Sequence, residues 1–208
     1  MFGIYTDAAL TVLVTAEGNM SNPDEETDLD GDAGETAILA LWCGAIQSKL
    51  AAGIDDVVTT VTIDNAYFRF TDLPVIKCGT ELMYVTAGLS PASTTLTVIR
   101  GWNNTTKAAH SLGDRVYMAY DGESITVACR DNEQVVTGDE SGWLYYCLDN
   151  GSGSPTGTWI LVQNLGDIDM ADSVAFHRRV IVPASTGAVS KTDLIHDMED
   201  IKLIALGS

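Results

Sequence analysis

The chain has 208 residues, of which 46% are hydrophobic and only 19% charged, which excludes wholesale disorder and lets one large β domain or two small ones bury a core without disulfides or metals. A formal net charge of −18, from 29 acidic against 11 basic residues, excludes the clustered cations that phosphate neutralisation needs; the only adjacent basic pair is Arg178-Arg179. Direct nucleic-acid binding and attachment to an anionic membrane are therefore not expected, and no apolar run has the length of a bilayer span.

The opening MFGIYTDAALTVLV carries no Lys or Arg and so lacks the positive region of a secretory signal, which points to synthesis in a cytoplasm. Short runs rich in Val, Ile, Thr and Tyr then recur between Gly, Asn, Asp and Ser clusters, the pattern of a sandwich or barrel. They predict strands over Ala9–Thr15, Thr36–Cys43, Val57–Ile63, Leu82–Thr86, Thr95–Arg100, Arg115–Ala119, Ser124–Cys129, Gly142–Leu148, Thr158–Gln163, Val174–Val182 and Ile201–Ala205. The clearest alternation is Thr95–Arg100, where Leu96 and Val98 share a face with Arg100 at its edge. Helix signals are few: Cys43–Ala52, limited by Gly44 and Gly53, predicts two or three turns, and Thr106–Leu112 a single one. Three loops separate these elements: the acidic Asn19–Glu35, the polar Gly101–Lys107 around Trp102, and the hairpin connection Asp149–Gly157.

Cys43, Cys78, Cys129 and Cys147 sit in apolar stretches with no CxxC pair and no His at short ligand spacing, so they read as buried free thiols; zinc fits poorly. His110, His177 and His196 lie far apart beside unlike neighbours, and no G-x-S-x-G elbow or phosphate-binding glycine loop is present, so no catalytic residue and no cofactor is expected. In the acidic loop Asp28, Asp30 and Asp32 alternate as in a calcium loop, with Glu35 close by. Ala33 and Leu39 stand where that loop needs Gly and Glu, so these four acids read as a solvated loop.

The stretch Ile76–Met118 reads as a compact β-meander with Ile76, Met83, Val85, Leu96, Val98 and Val116 as its core. It also resembles a module of tailed-bacteriophage virion proteins, in which a GxExMxV strand is followed by lTVxRGxxgTxaaaHxxGdxV. The matching residues are Gly79, Glu81, Met83, Val85, Leu96-Thr97-Val98, Arg100-Gly101, Thr105 or Thr106, Ala108-Ala109-His110, Gly113-Asp114 and Val116, within a stretch that covers roughly a fifth of the chain. The chain departs from that pattern at Trp102-Asn103-Asn104, where small residues and a Gly are usual. The C-terminal segment, with Phe176, Arg178, Val182-Pro183 and Ile201–Ala205, is similar to the closing hairpin of Ig-like phage structural domains.

The strand periodicity makes the chain all-β, and the resemblance implies an Ig-like β-sandwich; because the two or three N-terminal strands cannot cover their own apolar face, the sandwich is expected to be discontinuous, residues 1–58 plus 120–208, carrying residues 59–119 as an inserted small β module. Three domains in series is the competing arrangement. The resemblance further implies a virion component, a head decoration, neck or tail protein, that contacts copies of itself and other virion proteins; the missing catalytic motifs make it non-enzymatic, and the departing loop, an aromatic followed by polar residues, makes Trp102, Asn103 and Asn104 the expected contact residues. The alternative is a host-surface or carbohydrate-binding module of a tail appendage, with Trp102 and the acidic loop at its binding surface.

Overall fold

The computed structural model describes residues 2–16, 19–20, 33–65, 68, 70, 74–90, 93–131, 140–186, 194–199 and 202–205. Along the chain the strands are β1 (Phe2–Tyr5), β2 (Leu13–Ala16), β3 (Asn19–Met20), β4 (Glu35–Ala45), β5 (Gln47–Lys49), β6 (Thr60–Thr62), β7 (Val75–Cys78) and β8 (Glu81–Ala87). They continue as β9 (Thr95–Ile99), β10 (Arg115–Met118), β11 (Tyr120–Asp131), β12 (Leu144–Leu148), β13 (Val162–Ile168), β14 (Ser173–Val182), β15 (Leu194–Glu199) and β16 (Lys202–Ala205). Among the described residues there is no α-helix, only 3-10 turns at Trp102–Asn104 and Ser141–Trp143. The fold is nearly all-β, as the alternating pattern requires.

Three antiparallel sheets result. The first runs β12-β14-β4-β1-β2-β3 and the second β5-β10-β7-β8-β9-β6. In the third, the long β11 lies between β13 on one side and β15 and β16 on the other. A core forms where the first and third sheets face each other: Phe2, Ile4, Leu41, Cys43, Tyr146 and Phe176 pack with Ile125, Val127, Leu165, Ile168 and Met198. A second core gathers Ile46, Leu50, Val61, Ile76, Met83, Val85, Leu96, Val98, Val116 and Met118, and it reaches the first sheet at Tyr5 and Leu13. All six residues expected in the meander core are among them, and β9, which contributes Leu96 and Val98, holds strictly to the two-residue period. All four cysteines are free thiols, three buried and Cys129 half-buried.

Strand pairing changes sheet at Ile46 and again at Ala119. The second sheet thus draws on chain from Gln47 onward, because β5 pairs with β10 and Ile54 bridges to His110 well before residue 59.

Two expected helices are strands or extended chain instead. Over Cys43–Ala52, backbone pairing overrides the weak helix signal: Cys43, Gly44 and Ala45 pair with β1, while Gln47 donates its side-chain amide to the Ala9 and Leu10 carbonyls. Leu10 packs directly over Gly44, so a Cβ there, 2.5 Å from Leu10 Cδ1, would push that side chain aside. In Thr106–Leu112 the His110 amide and carbonyl both bond to Ile54, which takes them out of any helical turn.

Other boundaries move for local reasons. The strand expected from Ala9 starts at Leu13, because the Asp7 carboxylate accepts hydrogen bonds from the Thr11 and Val12 amides and holds a turn. Asp55 does the same for the Val57 and Val58 amides, so β6 starts at Thr60. The Thr158–Gln163 segment crosses between sheets: Ile160 bridges to Tyr146 of β12 before β13 joins β11.

Candidate functional site

Five of the motif residues, Glu81, Arg100, Gly101, Ala108 and His110, meet in one cluster beside the β8–β9 pair. Cys78 and Glu81 flank the two-residue turn Gly79-Thr80, and Gly79 takes a φ of 56°, the left-handed conformation that such a hairpin connection demands of its first residue. Arg100 follows Val98 by two residues and so points inward with it. This delivers a guanidinium into the core, where it is only 4% exposed beside a Glu81 that is 0% exposed.

The pair is bidentate, with Arg100 Nε donating to Glu81 Oε1 and Nη2 to Oε2, each at 2.7 Å. Gly101 N donates to Oε1, while Ala108 N and His110 Nε2 reach Oε2 at 3.1 and 3.0 Å. The remaining guanidinium donors go to backbone carbonyls, Nη1 to Asp55 and Val58, and Nη2 to Ala108. One buried ion pair thereby ties β8 and β9 to the 55–58 and 101–110 loops. Thr105 Oγ1 accepts from Leu82 N and donates to Trp102 O, which closes the polar loop against β8.

Burial raises the pKa of Glu81, but the Arg100 guanidinium, with the Ala108 and Gly101 amides and His110, outweighs it and holds the carboxyl down to about 2 from an ordinary 4.5. Because the folded value is depressed, the stability it contributes is present in full above 4.5 and is lost as pH falls through about 2. Thermal melts from neutral pH downward are expected to show a step in that window, and the step should be missing from the Glu81→Gln protein.

Next to this cluster, ligand atoms of Cys78, His110 and Asp114 lie within 4.8 Å of one another. Burial, then the nearby Asp114 and Glu81 carboxylates, push the Cys78 thiol up to about 11. The sequence reading missed this grouping because Cys78 stands far along the chain from the His110–Asp114 turn; only the pairing of β7 with β10 brings them together.

The expected contact residues lie one step away. Gly101 and Asn103 and Asn104 all adopt positive φ, and both asparagines are exposed, as residues suited to left-handed backbone can be. Trp102 is half-buried: its ring stacks on Tyr84 with centroids 4.6 Å apart, and both pack on Val75, Leu82 and Ala119. Asp28, Asp30 and Asp32 lie outside the described residues; Glu35 is exposed at the start of β4. The other two histidines have their own partners, His177 Nε2 with Asp149 Oδ2 and His196 Nδ1 with the Tyr146 hydroxyl, each at 2.8 Å. No known protein-family model and no curated protein matches the chain.

Proposed function

We propose that the chain is a non-enzymatic structural component of a tailed-phage virion, acting through contacts with copies of itself and other virion proteins. In this reading it is an Ig-like sandwich built from the first and third sheets, interrupted between Ile46 and Ala119 by a β module. The observation that carries the proposal is the Ile76–Met118 motif. Its Glu81, Arg100, Gly101, Ala108 and His110 form one hydrogen-bonded cluster, with Gly79 in the turn before Glu81 and Thr105 bonded to the neighbouring Leu82, which supports reading the pattern as one module.

Exposed apolar side chains favour a partner surface. Ile160, Leu161 and Val162 follow one another at 39, 48 and 51% exposure on the approach to β13, an outer strand of the third sheet. The host-surface alternative draws no comparable support, since Tyr84 already covers part of the Trp102 ring that a sugar would stack on.

Light scattering on the purified chain is expected to give a symmetric oligomer, and mass spectrometry of purified virions is expected to find the chain in stoichiometric amount. A protein that stays monomeric at high concentration and is missing from the particles would defeat the reading.

A further inference from the structure

We propose that Cys78, His110 and Asp114 bind a divalent transition-metal ion, zinc above all, at the rim of the second sheet, with a fourth position open to water. Three donors of different kinds, a thiolate sulfur, an imidazole nitrogen and a carboxylate oxygen, are the set that zinc accepts and that calcium or magnesium does not.

The orientation of His110 is the second observation. A carboxylate whose oxygens already take the Arg100, Gly101 and Ala108 donors can only accept from His110, so Nε2 is a donor and Nδ1 is the nitrogen whose lone pair a metal ion can take from the neutral ring. Such a carboxylate behind an imidazole is the usual device for fixing a metal-binding histidine. The Cε1–Nδ1 edge of the ring lies beside the turn that follows Cys78: a Cβ built on Gly79 would lie 3.6 Å from His110 Cε1 and 3.9 Å from Nδ1.

Asp114 is likewise half engaged. Its Oδ2 accepts from Ser111 N at 2.8 Å, leaving Oδ1 for a ligand. The turn that carries both residues is pinned, with His110 bonded through its amide and carbonyl to Ile54, Leu50 N to Asp114 O, and Gly113 N to Leu50 O. Tetrahedral zinc sets its donors about 3.3–3.7 Å apart, against the 4.8 Å span here. Binding therefore draws the three donors together, and Asp114, exposed at the end of its turn, has the most room to move. A net charge of −18 raises the local concentration of cations around the site.

The test titrates the full-length chain, stripped with a chelator, with Zn2+ and separately with Co2+. One ion per chain, a higher melting temperature with zinc, and a thiolate-to-cobalt charge-transfer band are expected. Cys78→Ser should abolish the band, and Asp114→Ala, a change at an exposed residue, should weaken zinc binding by roughly tenfold or more with the fold intact. Cys129→Ser, at the half-buried thiol elsewhere, should change neither. A folded parent protein without the cobalt band, or zinc binding unchanged in both ligand variants, overturns the proposal.

Discussion

Replacing Glu81 by Gln is expected to lower the unfolding free energy by about 3–5 kcal/mol, the range for removing one partner of a buried ion pair. Shape is kept, so the loss isolates charge and hydrogen bonding. The two carboxylate oxygens together accept from Arg100 twice, and from Gly101, Ala108 and His110. An amide offers one oxygen, which still takes an Arg100 donor, and turns an NH2 group toward the remaining donors, leaving the guanidinium charge with no counter-charge among the Asp55, Val58 and Ala108 carbonyls. Since a whole domain is stable by only about 5–15 kcal/mol, urea unfolding of this variant should show a strongly reduced midpoint. A loss under about 1 kcal/mol would put the pair in the class of exposed ion pairs and contradict the role given to it.

The same cluster shows where sequence reading reaches and where it stops. Parity along Leu96, Val98 and Arg100 is local, so it could place the arginine on the core face. That Glu81 and His110 meet it there depends on pairing across β8, β9 and the 101–110 loop, and no spacing rule encodes those distances. Strands with little apolar character were missed for a related reason. LIHDME of β15 forms a strand because β11 offers it an unpaired edge over Thr126–Asp131, and Gln47–Lys49 forms one because β10 does the same. At β13 the strand includes Asn164, Gly166 and Asp167, poor strand formers accommodated by one bulge in β11 at Glu123-Ser124 and another in β13 at Leu165. Backbone partners, more than side-chain propensity, set these elements, and the partner is the one thing a single segment does not carry.

Phe176→Ala is expected to cost about 3–5 kcal/mol, as for other large aromatic truncations in a packed core. Phe176 is fully buried on β14, directly between Leu148 of β12 and Leu41 of β4, and its ring lies 6.2 Å from that of Tyr146. Strands on both sides hold the backbone, so collapse into the vacated space is limited and the cavity penalty persists. The substitution acts in the core between the first and third sheets, whereas Glu81 is tied into the second sheet. If the segment between Ile46 and Ala119 folds around its own core, calorimetry should resolve two transitions, with Phe176→Ala lowering one and Glu81→Gln the other. Tyr5 and Leu13 of the first sheet, which pack into the second core, limit how far apart the transitions can lie. One transition shifted equally by both substitutions would show that the sheets unfold as a single cooperative unit, and the division into sandwich and inserted module would then describe only the path of the chain.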